Sequence, residues 1–184
     1  ELGKVVLDLG PDMEAGNPRN SEGTFLETEK DGIIFVYSRF RGNDPADHAY
    51  ADLCLMRSMD GGRTFDEGEI ILTCDGEEGV NMMSPSLLRM GNGDIGLFYL
   101  VRITYDVTRI FLRRSVDGGR TWGERVCCST YDYFFVINND RVLRTSSGRI
   151  VIPAAAHRAY KGILDSRPDT VFFLSDDDGI TWRV

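Results

Sequence analysis

The sequence lacks four features that would point to common classes of protein. Its 184 residues contain no apolar run of membrane-spanning length, and no secretory signal opens the chain. Lys and Arg number 21 against 29 Asp and Glu, and the formal net charge of −8 argues against a nucleic-acid partner, which would need clustered cations. A helical period of apolar residues is also missing. We therefore expect neither a membrane nor a nucleic acid as a partner.

Potential metal ligands are equally sparse. The chain has four cysteines and two histidines. Cys54, Cys74, Cys127 and Cys128 do not show the paired spacing of a metal site, and no carboxylates cluster with them. Cys54 lies in an apolar, strand-like run where a small buried side chain is the simpler interpretation. We expect free thiols, no metal and no cofactor.

A pattern of eight residues occurs three times at nearly equal spacing. The copies begin at Ser58, Ser115 and Ser175 and reduce to Ser-x-Asp-x-Gly-x-Thr followed by Phe or Trp. Asp and Ser can bond nearby backbone amides and Gly supplies a positive φ, so each copy predicts a tight turn between two strands. The closing aromatic can pack beneath the sheet. We interpret these repeated turns as structural.

Short apolar segments separated by Gly, Asn and Asp lie between the repeated turns. Four meandering strands per repeat predict an all-β fold, a β-propeller of four-stranded antiparallel blades. We expect a leading strand at 1–9 and blades at 10–74, 75–129 and 130–184, the last incomplete. Propellers commonly have roughly four to eight blades. The chain is therefore either half of a six-bladed protein, which we favour, or a half-propeller that pairs with a second copy.

Loop lengths predict where a site would lie. Hairpin-sized turns join the first strand of each blade to the second, and the repeated turns join the third to the fourth. Because strand direction alternates, all the longer connections fall on the opposite side, which we call the long-loop face. These connections are 10–23, 39–50, 74–83, 102–109, 130–140 and 157–169. Long loops on one side of a rigid scaffold are the expected place for a binding site.

The repeated turns resemble the Asp box, or BNR repeat, of the sialidase (neuraminidase) superfamily, and the resemblance extends over essentially the whole chain. It implies the N-terminal half of a six-bladed propeller. The implied activity is that of an exo-acting glycoside hydrolase that removes a terminal acidic sugar, sialic acid, from a glycan substrate with retention. A propeller that binds a glycan or a protein without catalysis, or a hydrolase for a different sugar, is the alternative. The family also favours a secreted or periplasmic location.

The resemblance assigns roles to residues of the long-loop face. In the family an Arg before the first strand grips the substrate carboxylate, and Arg19 matches its position. An Asp in the loop after the second strand acts as acid: the spacing from Arg19 favours Asp44, the sequence that follows favours Asp47, and we choose Asp47. Arg39 matches a position near the carboxylate, with a surface ion pair as the alternative. A guanidinium suits a carboxylate through two parallel hydrogen bonds.

Further candidates for substrate binding stand at other strand ends. His157 lies where the family segment carries aromatics that line the sugar pocket, with a structural role as the alternative. Asn81 is a candidate for the rim of the site, and Asn139 and Asp140 precede the first strand of the third blade. Glu22 either lies on the rim or fixes the neighbouring arginine in place.

The sequence departs from the family in two respects. The usual aromatic-Arg-Ile-Pro reads Pro18-Arg19-Asn20-Ser21, so Arg19 is matched by position rather than by motif. The nucleophilic Tyr of the family, its partner Glu and two further arginines come from later blades, and no residue here is assigned to them. We expect these 184 residues alone not to hydrolyse a sialoside.

Overall fold

Fourteen β-strands and no helix form the described chain, a computed structural model that covers residues 3–28 and 32–184. A first group contains β1 (Asn20–Glu27), β2 (Ile33–Phe40), β3 (Ala51–Ser58) and β4 (Glu69–Leu72). A second contains β5 (Asn81–Arg89), β6 (Ile95–Arg102), β7 (Thr108–Ser115) and β8 (Val126–Cys127). A third contains β9 (Phe134–Val136), β10 (Leu143–Arg144), β11 (Ile150–His157), the hairpin β12 (Ala159–Tyr160) and β13 (Ile163–Leu164), and β14 (Asp169–Ser175).

Strand pairing is antiparallel within every group. The first two groups are meanders, β1-β2-β3-β4 and β5-β6-β7-β8, joined by one parallel bridge between Ala51 and Asn81. In the third group β11 pairs with β14 on one side and with both β9 and β10 on the other. The all-β class and its antiparallel sheets are thus confirmed. The division into blades at 74 and 129 stays a prediction.

The second group is buried on both faces, which explains its nearly continuous apolar strands. Successive side chains of a strand point to opposite faces, so β6 serves two cores. Leu97 and Tyr99 pack into the core shared with the first group, where Val36 and Leu53 lie. Phe98 packs into the core shared with the third group. Each core thus lies between two neighbouring groups of strands.

Each repeated turn is organised by its aspartate. In all three copies the Ser hydroxyl donates to Asp60, Asp117 or Asp177 at 2.7–2.8 Å, and the Thr amide donates to the same carboxylate at 2.9 Å. The Thr hydroxyl bonds it as well. Hydrogen bonds from this Thr hold the pKa of Asp60 and Asp117 well below its usual range and lower that of Asp177 to about 2. The carboxylates are fully engaged within their own turns, which supports the structural interpretation.

Residues 3–9 form no strand, and residues 1–2 lie outside the described residues, so the leading strand expected at 1–9 stays a prediction. The segment has no strand partner among the described residues. Leu7 and Leu9 instead pack on Phe35 and Phe65 of the first group. These apolar contacts and a hydrogen bond from Asn20 Nδ2 to the Leu9 carbonyl at 3.0 Å hold the segment. A strand would need a neighbour for its backbone hydrogen bonds.

Candidate functional site

The first strand of each group is interrupted by a residue with a positive φ. Glu22 (φ 49°), Ser84 (φ 57°) and Asp140 (φ 56°) adopt this left-handed conformation although none is glycine. The pairing registers of β1 and β5 shift at these positions, and residues 137–142 separate β9 from β10. Left-handed non-glycine residues are uncommon and cluster at functional sites.

Hydrogen bonds tie the three interrupted strands together. The Ser84 amide donates to Glu22 Oε2, and Thr24 Oγ1 donates to Asp140 Oδ1 at 2.8 Å. Asn139 Nδ2 donates to a backbone carbonyl of β1 at 2.7 Å. We call these five residues the polar junction. Of the predicted site residues, the structure thus brings together Glu22, Asn139 and Asp140.

Glu22 is held differently from the expectation. No ion pair joins Glu22 to Arg19 in the described part of the chain, and its carboxylate accepts from Ser84 instead. Burial raises the pKa of Glu22, while the hydrogen bonds from Ser84 and the charge of Arg19 limit the rise. The group is a partly desolvated carboxyl next to the arginine rather than its partner.

Arg19 and Asp47 form an ion pair on the long-loop face. Arg19 Nη1 lies 2.5 Å from Asp47 Oδ1 and donates to the Pro45 carbonyl at 3.0 Å, while the guanidinium stacks on the Phe40 ring at 4.6 Å. The Asp47 side chain is 77% exposed against 31% for Arg19. The arginine is therefore fixed by its neighbours, and the aspartate is open to solvent.

Asp44 and Arg39 take other positions. Asp44 accepts from the Ala46 amide at 2.9 Å and lies 3.4 Å from His48 Nε2, so it stabilises its own loop. Arg39 and Phe40 are successive residues of β2, so their side chains point to opposite faces of the sheet. The charge of Arg39 lies beside Tyr37 and Cys54, on the face away from Phe40 and the Arg19 guanidinium. It has no ion pair with any described residue. Arg39 is thus separated from the ion pair of Arg19 by the sheet itself.

Asn81 and His157 support loops. Asn81 is 4% exposed, and its Nδ2 donates to the Ala49 carbonyl at 2.6 Å, which anchors the 41–50 loop on β5. His157 Nδ1 lies 3.0 Å from the carbonyl oxygen of Asp165 and 3.4 Å from its carboxylate. Both side chains are engaged by the protein, in accord with the structural alternative for His157.

The sequence analysis missed Arg102 and two tyrosines. A cleft of about 530 Å³ opens between the loop after β2 and the loop after β6, with Arg102, Tyr50 and Tyr105 among its lining residues. Arg102 ends β6 where Phe40 ends β2 and His157 ends β11. Comparing these three equivalent strand ends could have identified it. Among the described residues no group of His, Cys, Asp and Glu could hold a metal ion, and no helix could cross a membrane.

Comparison with solved structures reveals the same fold in sialidases. A Hadza microbial sialidase matches with a TM-score of 0.71 and 20% identity over 92% of this chain and 37% of its own. The leech intramolecular trans-sialidase matches with a TM-score of 0.71 and 12% identity over 100% of this chain and 45% of its own. The intramolecular trans-sialidase of Ruminococcus gnavus matches with a TM-score of 0.72 and 13% identity over 97% of this chain and 62% of its own.

The chain therefore has a sialidase-like β-propeller fold. It spans less than two thirds of the length of each of these three structures. No protein-family model and no curated protein matches the sequence.

Proposed function

We propose that this chain forms part of a sialidase-like exo-glycoside hydrolase that removes a terminal acidic sugar from glycoconjugates with retention. The observation that supports it best is the ion pair of Arg19 and Asp47 on the long-loop face. The two side chains predicted to hold the substrate carboxylate and to protonate the leaving oxygen are in direct contact. Glu22, a partly buried carboxyl, lies beside them.

Substrate binding would rearrange this ion pair. The carboxylate of an acidic sugar competes with Asp47 for the guanidinium of Arg19, which already has one donor nitrogen held by the protein. Asp47 then loses its contact with the guanidinium and lies near a second negative charge. Both changes favour the protonated form of its carboxyl, which is the form that a general acid needs. The exposed position of Asp47 permits this movement.

The remaining catalytic groups are not assigned to this chain. Sialidases use a Tyr nucleophile, and the family resemblance puts that Tyr, its Glu partner and two further arginines in later blades. The chain spans 37% of the Hadza sialidase and 62% of the Ruminococcus gnavus enzyme, so hydrolysis is proposed for the complete polypeptide to which the sequence belongs.

The test compares two leaving groups in that complete polypeptide. Asp47→Asn should lower kcat for sialyllactose by about 100-fold or more, because an alcohol leaving group needs the proton of the general acid. A 4-methylumbelliferyl sialoside, whose leaving group departs readily as an anion, should lose much less. Asp132→Asn is the matched control, because Asp132 forms a similarly exposed ion pair with Arg109.

Three results would redirect the proposal. Equal losses for the two substrates would remove Asp47 as the acid. Binding of sialosides without turnover by the unmodified protein would indicate a non-catalytic glycan-binding propeller. Turnover of another acidic sugar alone would keep the hydrolase and change its specificity.

A further inference from the structure

A groove between the first and second groups of strands lies at the repeated turns. We call it the turn groove. Its volume is about 460 Å³, which falls in the range of small-molecule sites, and its lining includes residues of the first two repeated turns. β3 runs from Ala51, next to the loop that contains Asp47, to Ser58 at the groove. Its eight residues span roughly 23 Å at about 3.3 Å per residue. The groove is therefore separate from the site proposed above.

Three arginines line the turn groove, although the chain has a net charge of −8. Arg57, Arg89 and Arg120 each donate to a backbone carbonyl of a nearby turn, at 2.7–3.2 Å. Asp117, the carboxylate among the described lining residues, is bonded within its own repeated turn. Glu69, which pairs with Arg57, does not line the groove. The described lining thus has an excess of positive charge.

The corresponding groove between the second and third groups holds the protein's own carboxylates. We call it the second groove and define it by Asp94, Arg114 and Asp178. Asp178 Oδ1 accepts from the Gly91 amide at 2.9 Å, and its Oδ2 lies 3.4 Å from Arg114 Nη1. Asp94 Oδ2 lies 3.6 Å from the same nitrogen. Two carboxylates therefore neutralise the arginine near the end of β7.

Two arginines of the turn groove have counterparts at the second groove. Arg57 corresponds to Arg114, because each precedes the Ser of a repeated turn and donates its Nη2 to a carbonyl of the next repeated turn. Arg89 corresponds to Arg144, because each ends the first strand of a hairpin and donates to the carbonyl four residues later. The cationic positions are thus the same in the two grooves.

The carboxylates of the second groove have no counterparts at the matching positions of the turn groove. Gly118 is the fourth residue of its repeated turn, where the third copy has Asp178. Gly32 occupies the hairpin position of Asp94, since the carbonyl of each accepts from the amide four residues earlier, at 2.7 and 2.9 Å. Glycine therefore replaces both aspartates while the arginines are retained.

We propose that the turn groove binds a small dicarboxylate, whose two carboxylates take the positions that the aspartates hold in the second groove. Both of those carboxylates lie within 3.6 Å of one nitrogen, so a short chain such as that of succinate or glutarate can join them. A guanidinium holds a carboxylate through parallel hydrogen bonds. The apolar side chains of Ile33 and Met59, which also line the groove, contact the methylene groups. This binding does not depend on the proposed hydrolysis.

Binding to the 184-residue chain can be measured by calorimetry and by amide NMR. The probes are succinate and glutarate, with butyrate as the matched monocarboxylate and inorganic sulfate as a compact dianion. We expect succinate or glutarate to bind about tenfold or more tightly than butyrate and sulfate, because only a dicarboxylate supplies both missing carboxylates. Amide shifts should appear at Met59, Val116 and Gly118 of the groove.

The sharpest variant is Gly118→Asp, which installs in the turn groove the carboxylate of the second groove. Gly118 has a φ of 76°, and Asp178 adopts 59° at the same position of its turn, so the backbone there accepts an aspartate. We expect dicarboxylate binding to weaken by about tenfold or more. Gly61→Asp is the matched control, because Gly61 is the fourth residue of the first repeated turn, has a φ of 71° and does not line the groove.

A second pair of variants tests the cations. Arg120→Ala should weaken dicarboxylate binding by about fivefold or more, because a guanidinium contact is lost. Arg63→Ala is its control: Arg63 donates to the Asp60 carbonyl as Arg120 does to that of Asp117, and it lies outside the groove. Thermal unfolding of every variant checks that the fold is retained.

Several outcomes would overturn the inference. These are no saturable binding of succinate or glutarate, equal affinity for butyrate or sulfate, or binding that Gly118→Asp leaves unchanged. Amide shifts confined to the 41–50 loop would also contradict it, because the anion would then bind near Asp47. Dicarboxylate binding that is lost in Gly118→Asp and kept in Gly61→Asp would support the turn groove, whether or not the complete polypeptide hydrolyses a sialoside.

Discussion

Two clusters of arginine and carboxylate in this protein have the same chemistry and opposite surroundings. One lies around Glu77, whose side chain is 3% exposed. Arg113 Nη2 lies 2.7 Å from Glu77 Oε1, and Arg125 Nη1 lies 3.2 Å from Oε2. The Tyr99 hydroxyl donates to Oε2 at 2.9 Å. Both carboxylate oxygens are satisfied inside the protein.

The other cluster lies beside the loop after β2. There the Arg19–Asp47 pair is open to solvent on the aspartate side, and Arg102 has no partner among the described residues. The difference teaches that residue type does not separate a structural ion cluster from a candidate site. Incomplete pairing at an accessible position is the distinguishing feature.

Tyr99 and Glu77 illustrate how misleading residue type can be. A Tyr bonded to a Glu is the pair that the resemblance implies for the sialidase nucleophile. Here, however, Tyr99 is 0% exposed, and burial together with the charge of Glu77 raises its pKa. A buried tyrosine that holds its proton more tightly is the opposite of an activated nucleophile. This pair stabilises the packing of β6 and β7.

The largest expected effect comes from breaking the closed cluster. Glu77→Ala leaves two partly buried arginines without their shared carboxylate, and we expect a loss of about 3–5 kcal/mol in the free energy of unfolding. Chemical denaturation measures it. Glu69→Ala, which removes an exposed partner of Arg57, is the control and should cost far less. Similar losses in the two variants would mean that the Glu77 cluster is not specially stabilising.

The next effect concerns the carboxylates of the repeated turns and their dependence on pH. Their folded-state pKa lies below the ordinary value of an aspartate, at about 2 for Asp177. Folding is therefore favoured by their ionised form above about pH 4 and loses this contribution as the pH falls toward 2. We expect the melting temperature to drop in that window. Asp177→Asn should have a lower melting temperature at neutral pH, and that temperature should fall less as the pH is lowered.

An acid profile that is unchanged by Asp177→Asn would contradict this assignment. Asp66→Asn supplies the comparison. Asp66 is an exposed aspartate outside the repeated turns, and its carboxylate accepts from the amides of Arg57 and Gly68.

The smallest expected effect on stability comes from removing the exposed ion pair of Arg19 and Asp47. Asp47→Asn should change the free energy of unfolding by less than about 1 kcal/mol, because exposed ion pairs contribute little to stability. Urea denaturation of this chain measures the change. A loss comparable to that of Glu77→Ala would show that Asp47 is a structural residue and would erase the contrast between the two clusters.

Much of the architecture was predictable because it is local. The repeated turns consist of contacts within eight consecutive residues, so Ser58, Asp60 and Thr64 identify one another in the sequence. The leading segment shows the limit. Leu7 and Leu9 have a strand-like pattern, yet a strand requires a partner that the pattern does not identify.

The site was only partly predictable because its contacts join distant segments. Arg19 and Asp47 were both nominated, and Asp47 was chosen over Asp44, but the sequence did not show that Asp47 contacts Arg19 while Asp44 bonds within its own loop. Glu22 was expected either to lie on the rim or to fix Arg19, and it is bonded by Ser84 of the second group of strands. Arg102 was missed, since being unpaired is a property of its surroundings and not of its identity.

The sequence by itself determined the strand order, the antiparallel meanders and the structural role of the repeated turns, because hydrogen bonds between neighbours in the chain specify them. Only the tertiary structure decided which carboxylate pairs with which arginine, which ion cluster is buried and which arginine has no ion-pair partner among the described residues. Those outcomes depend on burial and on the distances between loops of different sheets, and burial determines whether a charge must be neutralised by the protein or remains available to a ligand.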